Sequence, residues 1–153
     1  MKKIVTFTIV VATVLTLLSC GTVKYRPVSV SQHQSFSSYR YVYVDAGNSH
    51  GTYTYLTCDV IAGLLMKKGF VVLDLFQYQN MSTTMARSTM KVTYGAGSKR
   101  SVGFGSYTRE VTMQFISAWT NDLICVCTAE GMGETEHEDE DVAVTRCIQR
   151  LFP

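Results

Sequence analysis

Two kinds of periodicity run through residues 38–153. From Ser38 to Asp45, Tyr39, Tyr41 and Tyr43 alternate with Arg40, Val42 and Val44, a period of two that predicts a strand. Gly47-Asn48-Ser49-His50-Gly51 is turn chemistry. From about Thr54 to Lys68 the apolar residues Cys58, Ile61, Leu64 and Leu65 recur at helical spacing. Lys67 and Lys68 suit the negative end of that helix, and Gly69 suits its C-cap. Phe70 to Phe76 then reads as a short apolar strand, so the segment predicts a βαβ unit with parallel strands and a right-handed crossover. Gln77 to Ser88 is polar, a loop or a short helix. Strands are predicted at Thr89–Tyr94, Tyr107–Ser117 and Leu123–Glu130, the last two joined by a hairpin loop that holds Trp119. A final helix from about Glu136 to Leu151 carries Val144, Cys147, Ile148 and Leu151 as its apolar stripe.

The order β-α-β-β-β-β-α predicts an α+β domain, a two-layer sandwich with a mixed sheet of about five strands and both helices on one face. Val111, Met113 and Phe115 should pack under the helices, with Leu123, Cys125 and Cys127 from the next strand. The opposite face would carry Tyr39, Tyr41 and Tyr43 with Thr112, Gln114, Ile124 and Val126. Half of that surface is apolar. Tyrosine combines contact area with a polar tip, so Tyr39, Tyr41, Tyr43 and Trp119 are the candidate contacts for a protein partner or a second copy. The alternative is that the N-terminal segment or the glycine-rich loop folds over them.

The N-terminus changes the picture. Lys2 and Lys3 precede an uncharged, mostly apolar run from Ile4 to Leu18, too short for a comfortable membrane span and suited to a signal segment. Leu17-Leu18-Ser19-Cys20-Gly21 resembles the lipobox of bacterial lipoproteins. That resemblance implies a signal peptide over residues 1–19 and cleavage before Cys20, with acyl chains on Cys20 as the membrane anchor. Several chains at one residue anchor stably where one is marginal. An ordinary secretory signal or an uncleaved anchor is the alternative. Residues 20–34, polar and without periodicity, read as a flexible tether, and residues 35–153 as the single domain. Gly21 is not the aspartate that retains lipoproteins in the inner membrane of enteric bacteria, which leans the expectation toward the outer membrane.

Charge and cysteines narrow the partners. The 153-residue chain has 14 basic and 12 acidic side chains. Loss of Lys2 and Lys3 would balance them, which argues against a nucleic-acid partner. Without Cys20, four cysteines remain: Cys58, Cys125, Cys127 and Cys147. They read as buried thiols, as one disulfide joining a helix cysteine to the strand pair, or as part of a metal site.

Gly95 to Ser106 contains four glycines and the basic pair Lys99-Arg100. It could cradle an anionic small molecule or glycan, but it lacks the phosphate-loop order and opens no helix, so a hairpin tip is the competing reading. Glu134 to Asp141 is densely acidic. Thr135 and Glu138 fit a capping box, with further carboxylates at the positive end of the helix dipole; a calcium-loop spacing is not present. His137 reads as a surface residue. His33, His50 and His137 stand in no catalytic motif. The expectation is therefore a non-enzyme without a cofactor.

Two segments carry a resemblance. Thr128-Ala129-Glu130-Gly131-Met132-Gly133-Glu134-Thr135-Glu136, followed by Asp139, Ala143 and Arg146, looks like the closing hairpin-to-helix segment of small envelope lipoproteins from Bacteroides-type bacteria. The lipobox and the closing Leu151-Phe152-Pro153 fit that likeness. More distantly, the element order resembles the α+β domain of the TolB N-terminal, CsgG and PelC-like envelope proteins. The resemblance implies an assembly or scaffolding role in the cell envelope and carries over no catalytic residues.

Overall fold

The computed structural model of the chain describes residues 24–45, 52–103 and 105–153, without the side chains of residues 52–55. The expectations for the signal segment, for Cys20 and for the turn at 47–51 fall outside these residues. Six strands form one mixed sheet: β1 (Ser29–Gln32), β2 (Tyr41–Asp45), β3 (Val71–Leu73), β4 (Thr89–Gly103), β5 (Ser106–Ser117) and β6 (Leu123–Gly131). Their order across the sheet is β1-β6-β5-β4-β2-β3. Two long helices, α1 (Thr52–Lys67) and α4 (Glu136–Leu151), pack together on the sheet, and two single turns, α2 (Leu75–Gln79) and α3 (Thr83–Arg87), join β3 to β4. The α+β class holds. The β2-α1-β3 unit has its parallel pair, and β4 adds to the other side of β2, also parallel.

The core lies between the helices and one sheet face. Val42, Met90, Val92, Val111, Met113, Phe115, Cys125 and Cys127 meet Ile61 and Leu65 of α1 and Val144, Cys147 and Ile148 of α4, all fully or almost fully buried. Alternation places every second strand residue here. Phe36, Phe70, Phe115 and Phe152 close one end, with ring centroids 4.8 to 5.4 Å apart between Phe36 and Phe152, Phe70 and Phe152, and Phe36 and Phe115.

Four local expectations change. The segment read as tether contains β1, whose Val30 pairs with Cys127 of β6. It occupies the backbone groups that β6 would otherwise leave as an open edge. The glycine-rich stretch is strand, not loop: β4 runs through Gly95 and Gly97 to Gly103, laddered to β5, with register shifts between Ala96 and Lys99 and between Ser101 and Gly103. Only the tip needs glycine, at Gly103 (φ 105°) and Gly105 (φ 78°). The strand predicted over 70–76 stops at Leu73, because Asp74 caps α2: its carboxylate accepts from the Gln77 amide while Gln77 accepts from the Asp74 amide. Finally, the β5–β6 register jumps from Phe115↔Cys125 to Ile116↔Leu123. Ile124 is the extra residue of this bulge. It is buried, with its carbonyl accepting from the His33 and Gln34 amides, while Leu123 is turned outward.

Candidate functional site

Glu130, the penultimate residue of β6, organises the most connected polar cluster. Its side chain is 4% exposed and takes both arms of Arg100, Nε to Oε1 at 2.8 Å and Nη2 to Oε2 at 2.6 Å. The Arg26 amide donates to Oε2 at 3.0 Å, and the Arg26 guanidinium lies 3.4 Å from Oε1. The bidentate Arg100 bond, seconded by Arg26, holds the Glu130 carboxyl down at about 2 despite its burial. The surrounding guanidiniums grip the backbone as well. Arg100 donates to the Lys24 carbonyl at 3.3 Å, and Arg146 of α4 donates to the carbonyls of Glu130 and Arg26 while stacking over Tyr25 at 4.3 Å. Residues 24–26 are thus clasped along the end of β6. The lone carboxylate in an apolar and hydroxyl-rich strand was the available sequence signal for Glu130. Arg146 stood in the sequence only as part of the closing hairpin-to-helix resemblance, and nothing there pointed to Arg26.

Lys99 and Arg100 do not converge on one space. Arg100 is held by Glu130, and Lys99 pairs with Glu136 on α4. A groove of about 330 Å³ between the β4–β5 hairpin and the start of α4 is lined by Lys99, Tyr107, Met132, Glu136 and Asp139, among others. Several amides around the start of α4 are taken by side chains of the same segment. Thr135 and Glu138 form the predicted capping box, Glu138 also takes the Glu134 amide at 2.7 Å, and Asp139 takes the Gly133 amide at 2.6 Å. Glu136 and Glu140 both engage Arg109, each at 3.0 Å. The acidic run therefore caps the helix and ties it to the sheet. His137 is half-buried instead of a surface residue: Thr57 of α1 lies 3.3 Å from its Nδ1 and Asp141 lies 3.4 Å from its Nε2. Hydroxyl, imidazole and carboxylate stand in triad order, but Thr57 is fully buried, and the set joins α1 to α4.

The tyrosines separate. β2 begins at Tyr41, so Tyr39 leaves the predicted strand face. It follows the short turn Phe36–Ser38, packs on the core and donates its hydroxyl to Gln34 at 3.2 Å. Tyr41 and Tyr43 do lie on the face away from the core, both half-buried. Tyr43 stacks on Tyr78 of α2 at 4.3 Å, so the segment between β3 and β4 covers part of this face. Trp119 is 48% exposed in the β5–β6 turn, with the Arg87 guanidinium 5.1 Å above its ring. Strand periodicity did not single out the β3 corner, where Val71, Leu75 and Phe76 are exposed, Phe76 by 75%.

Cys125, Cys127 and Cys147 are fully buried, and Cys58 is half-buried; all four are free thiols. Burial pushes Cys58 and Cys125 up to about 11, with the nearby Asp59 carboxylate adding at Cys58 and Cys127 adding at Cys125. The Cys147 thiol hydrogen-bonds Cys127, which raises the pKa of Cys147 and lowers that of Cys127.

No protein-family model and no curated protein matches the chain. Among solved structures it is similar to the PelC dodecamer from Paraburkholderia phytofirmans in two crystal forms. One, a point variant, superposes with a TM-score of 0.55 at 12% identity, covering 82% of this chain and 97% of PelC. The other gives 0.52 at 11% identity, covering 82% and 98%. A PDZ domain protein from Parabacteroides distasonis gives 0.56 at 13% identity, covering 94% of this chain and 40% of that one. At these identities the likeness is one of fold, and it supports the PelC-like part of the expected resemblance.

Proposed function

We propose that this chain is a non-catalytic lipoprotein of the bacterial cell envelope, held in the outer membrane by lipid on Cys20. Its α+β domain assembles with a protein partner or with further copies of itself. The observation that carries the reading is the fold shared with PelC over 82% of the chain, since PelC is a dodecamer. Two features of the surface support it. β3 is a three-residue edge strand whose corner exposes Val71, Leu75 and Phe76, and Trp119 stands exposed in the β5–β6 turn. Apolar groups gathered at a strand edge suit addition of a partner. The test is the native mass of the full-length protein, gently extracted from membranes of its own host. A mass well above one mature chain is expected. A clean monomer would overturn the assembly role and favour a lipoprotein that recognises an anionic small molecule or glycan.

A further inference from the structure

The clasp on residues 24–26 shortens the connection between domain and membrane. A tether running from Cys20 to Gln34 would reach about 50 Å at ~3.5 Å per residue and would let the domain face any way. The structure fastens the chain much earlier. β1 pairs with β6 from Ser29 onward, and Arg100, Glu130 and Arg146 hold the backbone of Lys24 and Arg26. From Cys20 to Lys24 the chain can span only about 14 Å. The sheet is longer than that: from Thr108, beside Arg100, to Ser117, beside the Trp119 turn, β5 extends about 30 Å.

We infer that the end of the sheet bearing the clasp and the β4–β5 hairpin is the membrane-facing end of the domain, with the exposed Lys24 and Arg26 meeting lipid headgroup phosphates. The inference rests on the lipid anchor at Cys20. Arg26, Arg100 and Arg146 gather at the Glu130 carboxylate and main chain, Glu110 stands opposite Glu130 in the β5–β6 register, and the Arg26 side chain is 65% exposed. The neighbouring Lys99 and Arg109 are matched by Glu136 and Glu140. The acidic start of α4 lies at the same end, so the attraction to headgroup phosphates belongs to the exposed Lys24 and Arg26 alone. The Trp119 turn, at the other end of β5, points away from the bilayer.

Trp119 is the one tryptophan of the chain and so a built-in donor. The full-length mature lipoprotein is reconstituted in phosphatidylethanolamine–phosphatidylglycerol vesicles containing dansyl-labelled phosphatidylethanolamine. Energy transfer to the dansyl headgroups is compared between the wild type and a Trp119→Phe/Tyr107→Trp variant, in which the donor sits at the exposed hairpin. Trp119→Phe/Ser106→Trp serves if the first variant loses its folded circular dichroism. Severalfold higher transfer from the hairpin position is expected. Equal transfer, or more from Trp119, overturns the orientation. Flotation of Cys20→Ser with the vesicles separates the two failures. If it floats as well as wild type, the lipid anchor itself is refuted; if only the wild type floats and transfer is equal, the anchor stands and the orientation falls.

Discussion

Gly131 approaches α4 so closely that a Cβ built on it would lie 1.9 Å from the carbonyl oxygen of Asp139 and 2.5 Å from the amide nitrogen of Ala143. Both are backbone atoms, so no side-chain rotation relieves the contact. The close approach lets β6 run straight into the capped start of α4, and Gly133 repeats it against the Glu138 Cβ at 2.3 Å. Gly131→Ala should therefore push α4 off the sheet and cost about 3 kcal/mol, at the upper end for overpacking. Urea unfolding of the domain checks this. A midpoint unchanged from wild type would mean that α4 can shift freely.

Glu130 ties pH to stability. Its carboxyl ionises at about 2 in the fold, chiefly through the Arg100 bond, against an ordinary value of 4.5. A depressed carboxyl stabilises the fold fully above its unfolded value, and that contribution fades as pH falls from about 4.5 to about 2. Burial raises Glu140, so its protonation acts in the opposite sense. Glu130→Gln should cost about 2 kcal/mol at neutral pH, the scale of a lost charge-assisted hydrogen bond. The gap from wild type should close toward pH 2 in urea titrations. A gap independent of pH would assign the loss to packing instead of charge.

The parts of this fold legible in the sequence are those written by local periodicity. Ile61 and Leu65 of α1, the Val111-Met113-Phe115 face of β5 and the Thr135–Glu138 cap all follow from spacing alone, and all stand where the pattern puts them. What depends on pairing with a distant segment was not legible. Ser29–Gln32 becomes a strand only because β6 offers it an edge, and Gly95–Gly103 stays extended only because β5 runs alongside. The bulge at Ile124 reverses the expected places of Leu123 and Ile124 through one extra residue, invisible to a strict alternation. The clasp joins Arg26, Arg100, Glu130 and Arg146, from four separate regions of the chain. Of these the sequence singled out Arg100 for a ligand, and Glu130 and Arg146 only as members of the closing hairpin-to-helix segment.

Thiol reactivity should follow burial. Cys58 is half-buried and raised to about 11, so at pH 8 little of it is thiolate. Cys125 and Cys127 lie beneath α4, Cys147 faces them from α4 itself, and all three react only when the domain opens. With a water-soluble thiol reagent, the reduced native Cys20→Ser protein should label slowly at Cys58 first. The other three should label at the rate set by unfolding. Peptide mapping of the labelled sites over time distinguishes the two classes. Early labelling of Cys127 would show that α4 lifts from β6 without global unfolding.

The β3 corner offers the sharpest test of assembly. Phe76 is 75% exposed and contributes nothing to the buried cluster, so Phe76→Ser should change stability by no more than about 0.5 kcal/mol. A benzyl group in a packed interface is worth several times that, and apolar anchors at the centre of a contact dominate its affinity. In an assembly built through this corner, Phe76→Ser should lower the native mass of the detergent-extracted protein while leaving its circular dichroism and urea midpoint intact. Trp119→Ala is the matching probe at the β5–β6 turn, where loss of the Arg87 contact costs about 1 kcal/mol at most. Mass lost with Phe76→Ser and kept with Trp119→Ala would place the contact at the β3 edge, and the reverse would place it at the turn. An assembly that survives both substitutions would be built through neither surface.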